Sequence, residues 1–213
     1  MSYISDEDSK EIKKMFESLK DKIRIRIFRD EEENCQYCKE TIALISELSM
    51  LSDKIEMEIL NFSSDKEMVE KYSIERVPAI VLEKDTDLGI RYYGVPAGYE
   101  FASLLGDIID ISKGDSGLSE KTKEELKKIN VPVHIKVFVT PSCPYCPSAV
   151  RLAHKMAIEN EYIRADMIES TEFQELSINY NVYSVPKVVI NEKIQFEGAL
   201  PEPSFLKKVL EVI

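Results

Sequence analysis

The 213-residue chain sets 28 Lys and Arg against 39 Asp and Glu, a net charge of −11, and 44% of its residues are apolar. That apolar share suffices for a packed core, and the acidic balance argues against a nucleic-acid backbone as partner. No run approaches the roughly 18–20 apolar residues of a membrane helix, and the polar, acidic start lacks the layout of a secretion signal. The sequence is therefore read as soluble and cytoplasmic, with no membrane partner.

In chain order, Asp8-x-x-Glu11 marks a first helix start. Residues 23–28 alternate apolar and basic side chains, as a strand does. An apolar helix is expected over 35–51, opened by Cys35, then a strand over 55–62 and a short helix over 65–72. Residues 79–82 and 90–93 read as a strand pair, and 99–111 as an amphipathic helix. The polar stretch 113–119, with Gly114 and Gly117, reads as a connection. It divides the chain into units 1–116 and 117–213. Thr122-x-x-Glu125 marks the next helix start, 133–139 the strand before Cys143, and 187–190 and 193–196 a second strand pair. Each half thus reads helix, strand, helix, strand, helix, strand, strand, helix, an α/β unit whose mixed β-sheet is flanked by helices.

The halves repeat one another. Cys35 and Cys143, Cys38 and Cys146, and Pro78 and Pro186 are all 108 residues apart, and each proline follows its first cysteine by 43 residues. Around the prolines, residues 68–82 align without gaps to 176–190, with Tyr72/Tyr180, Val77/Val185, Pro78/Pro186 and Val81/Val189 identical. Gly94 and Phe101 match Gly198 and Phe205 at an offset of 104. Such shared spacing is the mark of an internal duplication.

A lone Cys-x-x-Cys fits either dithiol chemistry or half of a zinc site. Here each pair follows an apolar strand, precedes an apolar helix, and is answered 43 residues later by Val-Pro before a strand. That context favours thiol–disulfide exchange. Backbone N–H groups at a helix N-terminus stabilise the attacking thiolate, and the second cysteine, one turn on, resolves the mixed disulfide. The alternative is a structural or interaction module in which both pairs hold zinc.

Each half resembles a thioredoxin-fold unit, and Cys143-Pro144-Tyr145-Cys146 matches the glutaredoxin motif. With Cys35-Gln36-Tyr37-Cys38 in the first half, the whole chain resembles the glutaredoxin-like protein disulfide oxidoreductases of thermophilic archaea and bacteria. The resemblance implies two tandem thioredoxin-like units and reduction, formation and isomerisation of protein disulfides. It implies Cys35, Cys38, Cys143 and Cys146 as catalytic residues, no cofactor and no metal beyond these cysteine pairs, and a flavin-dependent thioredoxin-reductase-type partner. It also implies cis peptide bonds before Pro78 and Pro186, with Val77 and Val185 offering backbone to an extended substrate. Tyr37 and Tyr145, inside the motifs, are candidates for shaping substrate access. A second resemblance is to the electron-relay segment of alkyl hydroperoxide reductase flavoproteins, in which only one unit keeps its cysteine pair; here both are intact.

Other residues carry narrower expectations. Pro144 suits a first helical turn, whereas Pro147 would deny a hydrogen bond to the Cys143 carbonyl if Cys143 capped the helix. His134 and His154 receive no role. The position six residues before the first cysteine, a buried acid in thioredoxins, is Arg29 or Val137. Gly198-Ala199-Leu200-Pro201 departs from the glutathione-binding pattern of glutaredoxins. The run Asp30-Glu31-Glu32-Glu33-Asn34 precedes Cys35, while Thr140-Pro141-Ser142 before Cys143 is uncharged. Cys143 is therefore expected to be the more acidic thiol and the main site.

Overall fold

The computed structural model describes residues 2–31 and 35–213. The first half runs α1 (Asp6–Phe16), β1 (Ile23–Arg29), α2 (Cys38–Ser49), β2 (Ile55–Asn61), α3 (Lys66–Lys71), β3 (Ala79–Glu83), β4 (Asp87–Tyr93) and α4 (Tyr99–Lys113). The second repeats that order as α5 (Glu120–Leu126), β5 (Val133–Val139), α6 (Cys146–Glu159), β6 (Ile163–Glu169), α7 (Gln174–Asn179), β7 (Lys187–Ile190), β8 (Ile194–Glu197) and α8 (Glu202–Leu210).

Alternation in β1 explains its place. Ile23, Ile25 and Ile27 are fully buried, each worth roughly 1.5–3 kcal/mol. Arg26 faces the other way and is also buried, but Glu83 of β3 accepts from its Nη2 at 2.8 Å and from the Tyr72 hydroxyl at 2.5 Å. A charge is tolerated there because it is paired and hydrogen-bonded.

Both helix starts lie three residues upstream of the expected capping boxes. Ser5 Oγ accepts from the Asp8 N–H, and Ser119 Oγ from the Thr122 N–H. Each serine sits in the extended conformation of an N-cap, which places Asp8 and Thr122 inside the first turn. The helix expected from Cys35 to residue 51 spans Cys38–Ser49, because residues 36 and 37 form a turn. The later strands are also displaced, to Asp87–Tyr93 and Ile194–Glu197.

One eight-stranded mixed sheet runs β2-β1-β3-β4-β6-β5-β7-β8. Each half contributes four strands in the same relative order, and β4 pairs in parallel with β6, Ile90 opposite Ala165 through Tyr93 opposite Ile168. Gly89 permits this seam. It has φ +72°, and a Cβ there would lie 2.4 Å from the Ile163 carbonyl oxygen. Across the seam, Arg164 of β6 donates to the Tyr93 hydroxyl at 2.9 Å and to the Ser73 carbonyl at 3.0 Å, and within its own strand to Asp166 at 2.8 Å. His134 Nε2 is 2.6 Å from the other Asp166 oxygen. Burial alone would raise the Asp166 pKa, but His134 and Arg164 hold this carboxyl well below the usual range.

Behind the sheet, α4 packs on α6 around a buried acid, Asp107. It is bonded by the Tyr92 hydroxyl and by Arg151, and His154 Nδ1 lies 2.5 Å away. Burial, with the Arg151 charge, pushes the His154 imidazole down to about 3, so it is neutral across the physiological range. The histidine given no role is thus a structural contact between the halves.

Candidate functional site

The two cysteine pairs occupy equivalent places, between the first strand of each half and the helix that follows. Each closes on itself as a disulfide with its Cα atoms 5.5 Å apart. The second cysteine is the first helical residue, and the first lies in the turn ahead of it. Cys35 is 5% and Cys143 7% exposed, whereas Cys146 is fully buried. Within the second pair Cys143 is thus the more accessible residue, as suits an attacking thiol.

In the second half the geometry is complete. The Cys146 N–H donates to Cys143 Sγ at 3.1 Å, so that sulfur takes up an otherwise unpaired donor of the α6 N-terminus. The same contact stabilises negative charge on sulfur in the reduced form. Cys143 Sγ lies 3.7 Å from the Val185 carbonyl oxygen, and the Val185–Pro186 bond is cis. Pro147 is easily placed, because α6 starts at Cys146 and a proline in the first turn withholds only an N–H that has no helical partner. Pro144 lies in the preceding turn.

The first half is assembled differently. Val77–Pro78 is also cis, with Val77 half-buried and Pro78 buried. Among the described residues, however, no backbone donor or Val77 oxygen reaches Cys35 Sγ. A cleft of about 500 Å³ adjoins Cys35 and Cys38, lined by Arg29, Asp30, Glu31 and Lys39. Asp30 is fixed there, accepting from the Ser63 hydroxyl at 2.7 Å and the Glu31 N–H at 2.9 Å, which keep its carboxyl below the ordinary range. The acid run also includes Glu32, Glu33 and Asn34, which lie outside the described residues.

The motif tyrosines diverge as well. Tyr145 is 70% exposed beside its pair. Tyr37 is half-buried and lines an apolar cavity of about 450 Å³ between the halves, together with Glu40, Phe101, Pro141 and Glu172. Glu172 accepts from the Val95 N–H at 2.7 Å. Burial pushes its carboxyl up to about 7, with the charges of Glu169 and Glu40 adding to the shift.

Glu100 escaped the sequence reading. It is 1% exposed on α4, neither oxygen has a hydrogen-bonding partner among the described residues, and burial raises its pKa. A signal was available. Glu100, Ser103, Leu104, Asp107, Ile108 and Ile111 form one helical stripe, and two acids and a serine among its leucine and isoleucines mark buried polar positions.

Residues 133–211 match the family described as Thioredoxin domain. The chain is similar to a protein disulfide oxidoreductase of Aeropyrum pernix K1, at 30% identity and TM-score 0.90, covering 96% of this chain and 91% of that one. Its fold is also that of the NTD_N/C domain of alkylhydroperoxide reductase AhpF from Enterococcus faecalis, at 22% identity and TM-score 0.91, covering 97% and 100% of the two chains. A curated relative, the NADH dehydrogenase of Bacillus subtilis, is 26% identical over 80% of this chain. The chain spans only 31% of that relative's length.

Proposed function

Because the chain belongs to the protein disulfide oxidoreductase family and pairs two thioredoxin-like units in one sheet, we propose that it reduces, forms and isomerises disulfides of protein substrates at Cys35/Cys38 and Cys143/Cys146. The observation that carries this reading is the second site, where a disulfide at a helix N-terminus faces the carbonyl of a cis Val-Pro.

In the reducing direction, the Cys143 thiolate attacks one sulfur of the substrate disulfide. A mixed disulfide forms, and the departing substrate sulfur takes a proton. Cys146, deprotonated, then attacks Cys143 Sγ and releases the second substrate thiol. Two electrons pass to the substrate, and the chain is left with the Cys143–Cys146 disulfide. Cys35 and Cys38 act in the same order. Val185 and Val77, beside the cis prolines, offer backbone groups to an extended substrate strand. Tyr145 and Tyr37 shape access to the two pairs. The functional units are residues 1–116 and 117–213, the cysteine pairs need no added cofactor or metal, and the protein acts in the cytoplasm. No helix among the described residues is long and apolar enough to cross a membrane.

Electrons are supplied by a flavin-dependent thioredoxin-reductase-type partner. The match to about a third of a longer protein named NADH dehydrogenase supports such a source. The same match, with a Pseudomonas aeruginosa relative named as an alkyl hydroperoxide reductase component, favours a second reading, a relay that passes electrons toward peroxide reduction.

The test is reduction of a disulfide-linked protein by the dithiol form. Replacing Cys35 and Cys143 together with serine is expected to abolish turnover while circular dichroism stays unchanged. Retained turnover in that folded variant overturns the reading. Metal analysis of reduced protein addresses the zinc alternative, which requires about one tightly held zinc per chain.

A further inference from the structure

The surroundings of the two Val-Pro bonds differ in one respect that the shared chemistry does not require. Tyr183 stands two residues before Val185, and at 88% it is the most exposed large apolar side chain among the described residues. Its hydroxyl makes a single 3.4 Å hydrogen bond to Asn181, so its ring contributes little to the fold. Two residues of chain span at most about 7 Å, and Val185 already touches Cys143. The Tyr183 backbone therefore lies within about 7 Å of the residue that meets the reactive sulfur, and Tyr145, 70% exposed, lies inside the motif itself. Ile178, 74% exposed near the end of α7, leads into the same loop. Charge is scarce here. Residues 140–142 are uncharged, and the Lys187 ammonium donates inward to the Tyr180 and Asn181 carbonyls at 2.7 and 3.0 Å.

At the offset of 108, Tyr183 corresponds to Glu75 and Ile178 to Glu70. Glu75 is paired with Arg76 at 3.2 Å, and the guanidinium of Arg76 lies over the Tyr93 ring. The first half thus carries an ion pair at the position equivalent to Tyr183, and Asp30, Glu31 and Lys39 line the cleft beside Cys35. Aromatic rings standing in water beside a reactive sulfur gain free energy by covering apolar side chains of whatever docks there, whereas an ion pair would be desolvated by the same partner.

We propose that Tyr183, with Tyr145, forms an aromatic rim that selects extended polypeptide substrates whose disulfide cysteine is flanked by apolar residues, and that only the Cys143 site has this selectivity. Tyr183 is the specificity-determining residue. The occupant is an unfolded or locally opened protein segment, because folded proteins bury the apolar residues beside their disulfides. The proposal rests on the disulfide-exchange reading above.

The test uses the full chain with the first pair silenced as Cys35→Ser/Cys38→Ser. Its substrates are two disulfide-linked peptide dimers, identical except for phenylalanine or serine on either side of the cysteine. The parent is expected to favour the phenylalanine peptide by about tenfold in kcat/KM, expressed in KM. Tyr183→Ala and Tyr183→Glu should bring that ratio close to one, while Tyr183→Phe keeps it. In the reciprocal chain, with Cys143→Ser/Cys146→Ser, Glu75→Tyr should create a preference that the parent lacks. A ratio unchanged in Tyr183→Ala, or lost equally in Tyr183→Phe, overturns the rim. Failure of the silenced chain to reduce either peptide overturns instead the disulfide-exchange reading, and the rim falls with it.

Discussion

The two halves follow one chain path but bury it to different depths. The central strand β4 ends in Ile90, Arg91, Tyr92 and Tyr93, all buried, whereas its counterpart β8 alternates half-buried and exposed residues. Asp107 of α4 sits at the heart of a polar cluster, while Glu211, its counterpart at the offset of 104, meets Lys208 at the surface at 2.9 Å. The reactive pairs diverge in the same way. Cys143 has a backbone donor and a facing carbonyl, and Cys35 adjoins a cleft holding fixed charge. A duplicated sequence pattern thus places the cysteines alike, while the loop and backbone neighbours within each half differ.

The comparison can be broken most forcefully at the cysteines. Cys143→Ser alone should remove the larger share of protein-disulfide reduction, and Cys35→Ser the smaller share; the reverse order in a steady-state assay would invert the assignment of the main site. Cys146→Ser and Cys38→Ser should instead trap substrate at Cys143 and Cys35, read as an adduct by mass spectrometry.

Next in size is the contrast of acids. Asp107→Ala leaves the buried Tyr92 hydroxyl and His154 without their shared partner, while Arg151 keeps Asp110, and should cost about 1–3 kcal/mol in denaturant unfolding. Glu211→Ala, at an exposed pair, should cost under about 0.5 kcal/mol. Similar losses at both positions would mean that burial is not the difference. Gly89→Ala tests the seam. Its positive φ and the 2.4 Å approach to Ile163 predict a loss of about 1–3 kcal/mol.

Smaller effects sharpen the contrast. In Cys38→Ser/Cys146→Ser protein, alkylation rates against pH should give Cys143 the lower thiol pKa. Asp30→Asn should narrow that gap, as should added salt. A pH-dependent effect is expected at Glu172. Its folded pKa, about 7, lies above its ordinary value of 4.5, so the folded state binds the proton more tightly. The stability it contributes is complete below about pH 4.5 and lost as pH rises through 7. Glu172→Gln should therefore gain on the parent across that window, by about 1–2 kcal/mol, and match it near pH 4.

Much of this was legible in the sequence. The offset of 108 residues announced two like units, and the 43-residue interval pointed to the Val-Pro that meets Cys143 in the second of them. Periodicity outlined the element order of each half, most clearly where helices such as α2 and α4 bury one face. The ends slipped where a side chain or a turn overrode the pattern. Ser5 and Ser119 captured the caps, and the turn at residues 36 and 37 delayed α2 to Cys38. The fusion of the two sheets was hidden, since parallel pairing of β4 with β6 rests on long-range contacts that leave only Gly89 as a local trace. The Asp107 cluster was hidden for the same reason, with its partners 15, 44 and 47 residues away. The difference between Tyr37 and Tyr145 follows from the cavity that only the first of them borders.

The β4–β6 pairing has a geometric consequence. It joins the fourth strand of one unit to the second strand of the next, so the contact is head-to-tail and does not close on itself. Repeated by the outer strands, the same rule would set β8 of one molecule against β2 of another and propagate without end. Two features oppose that growth. β8 has only four residues, and β2 carries Glu56 and Glu58, already engaged by Lys22, Arg24 and Arg26. Short length and charge are the devices that stop edge strands from polymerising. The join that makes two units one molecule is therefore one the outer margins must refuse to repeat.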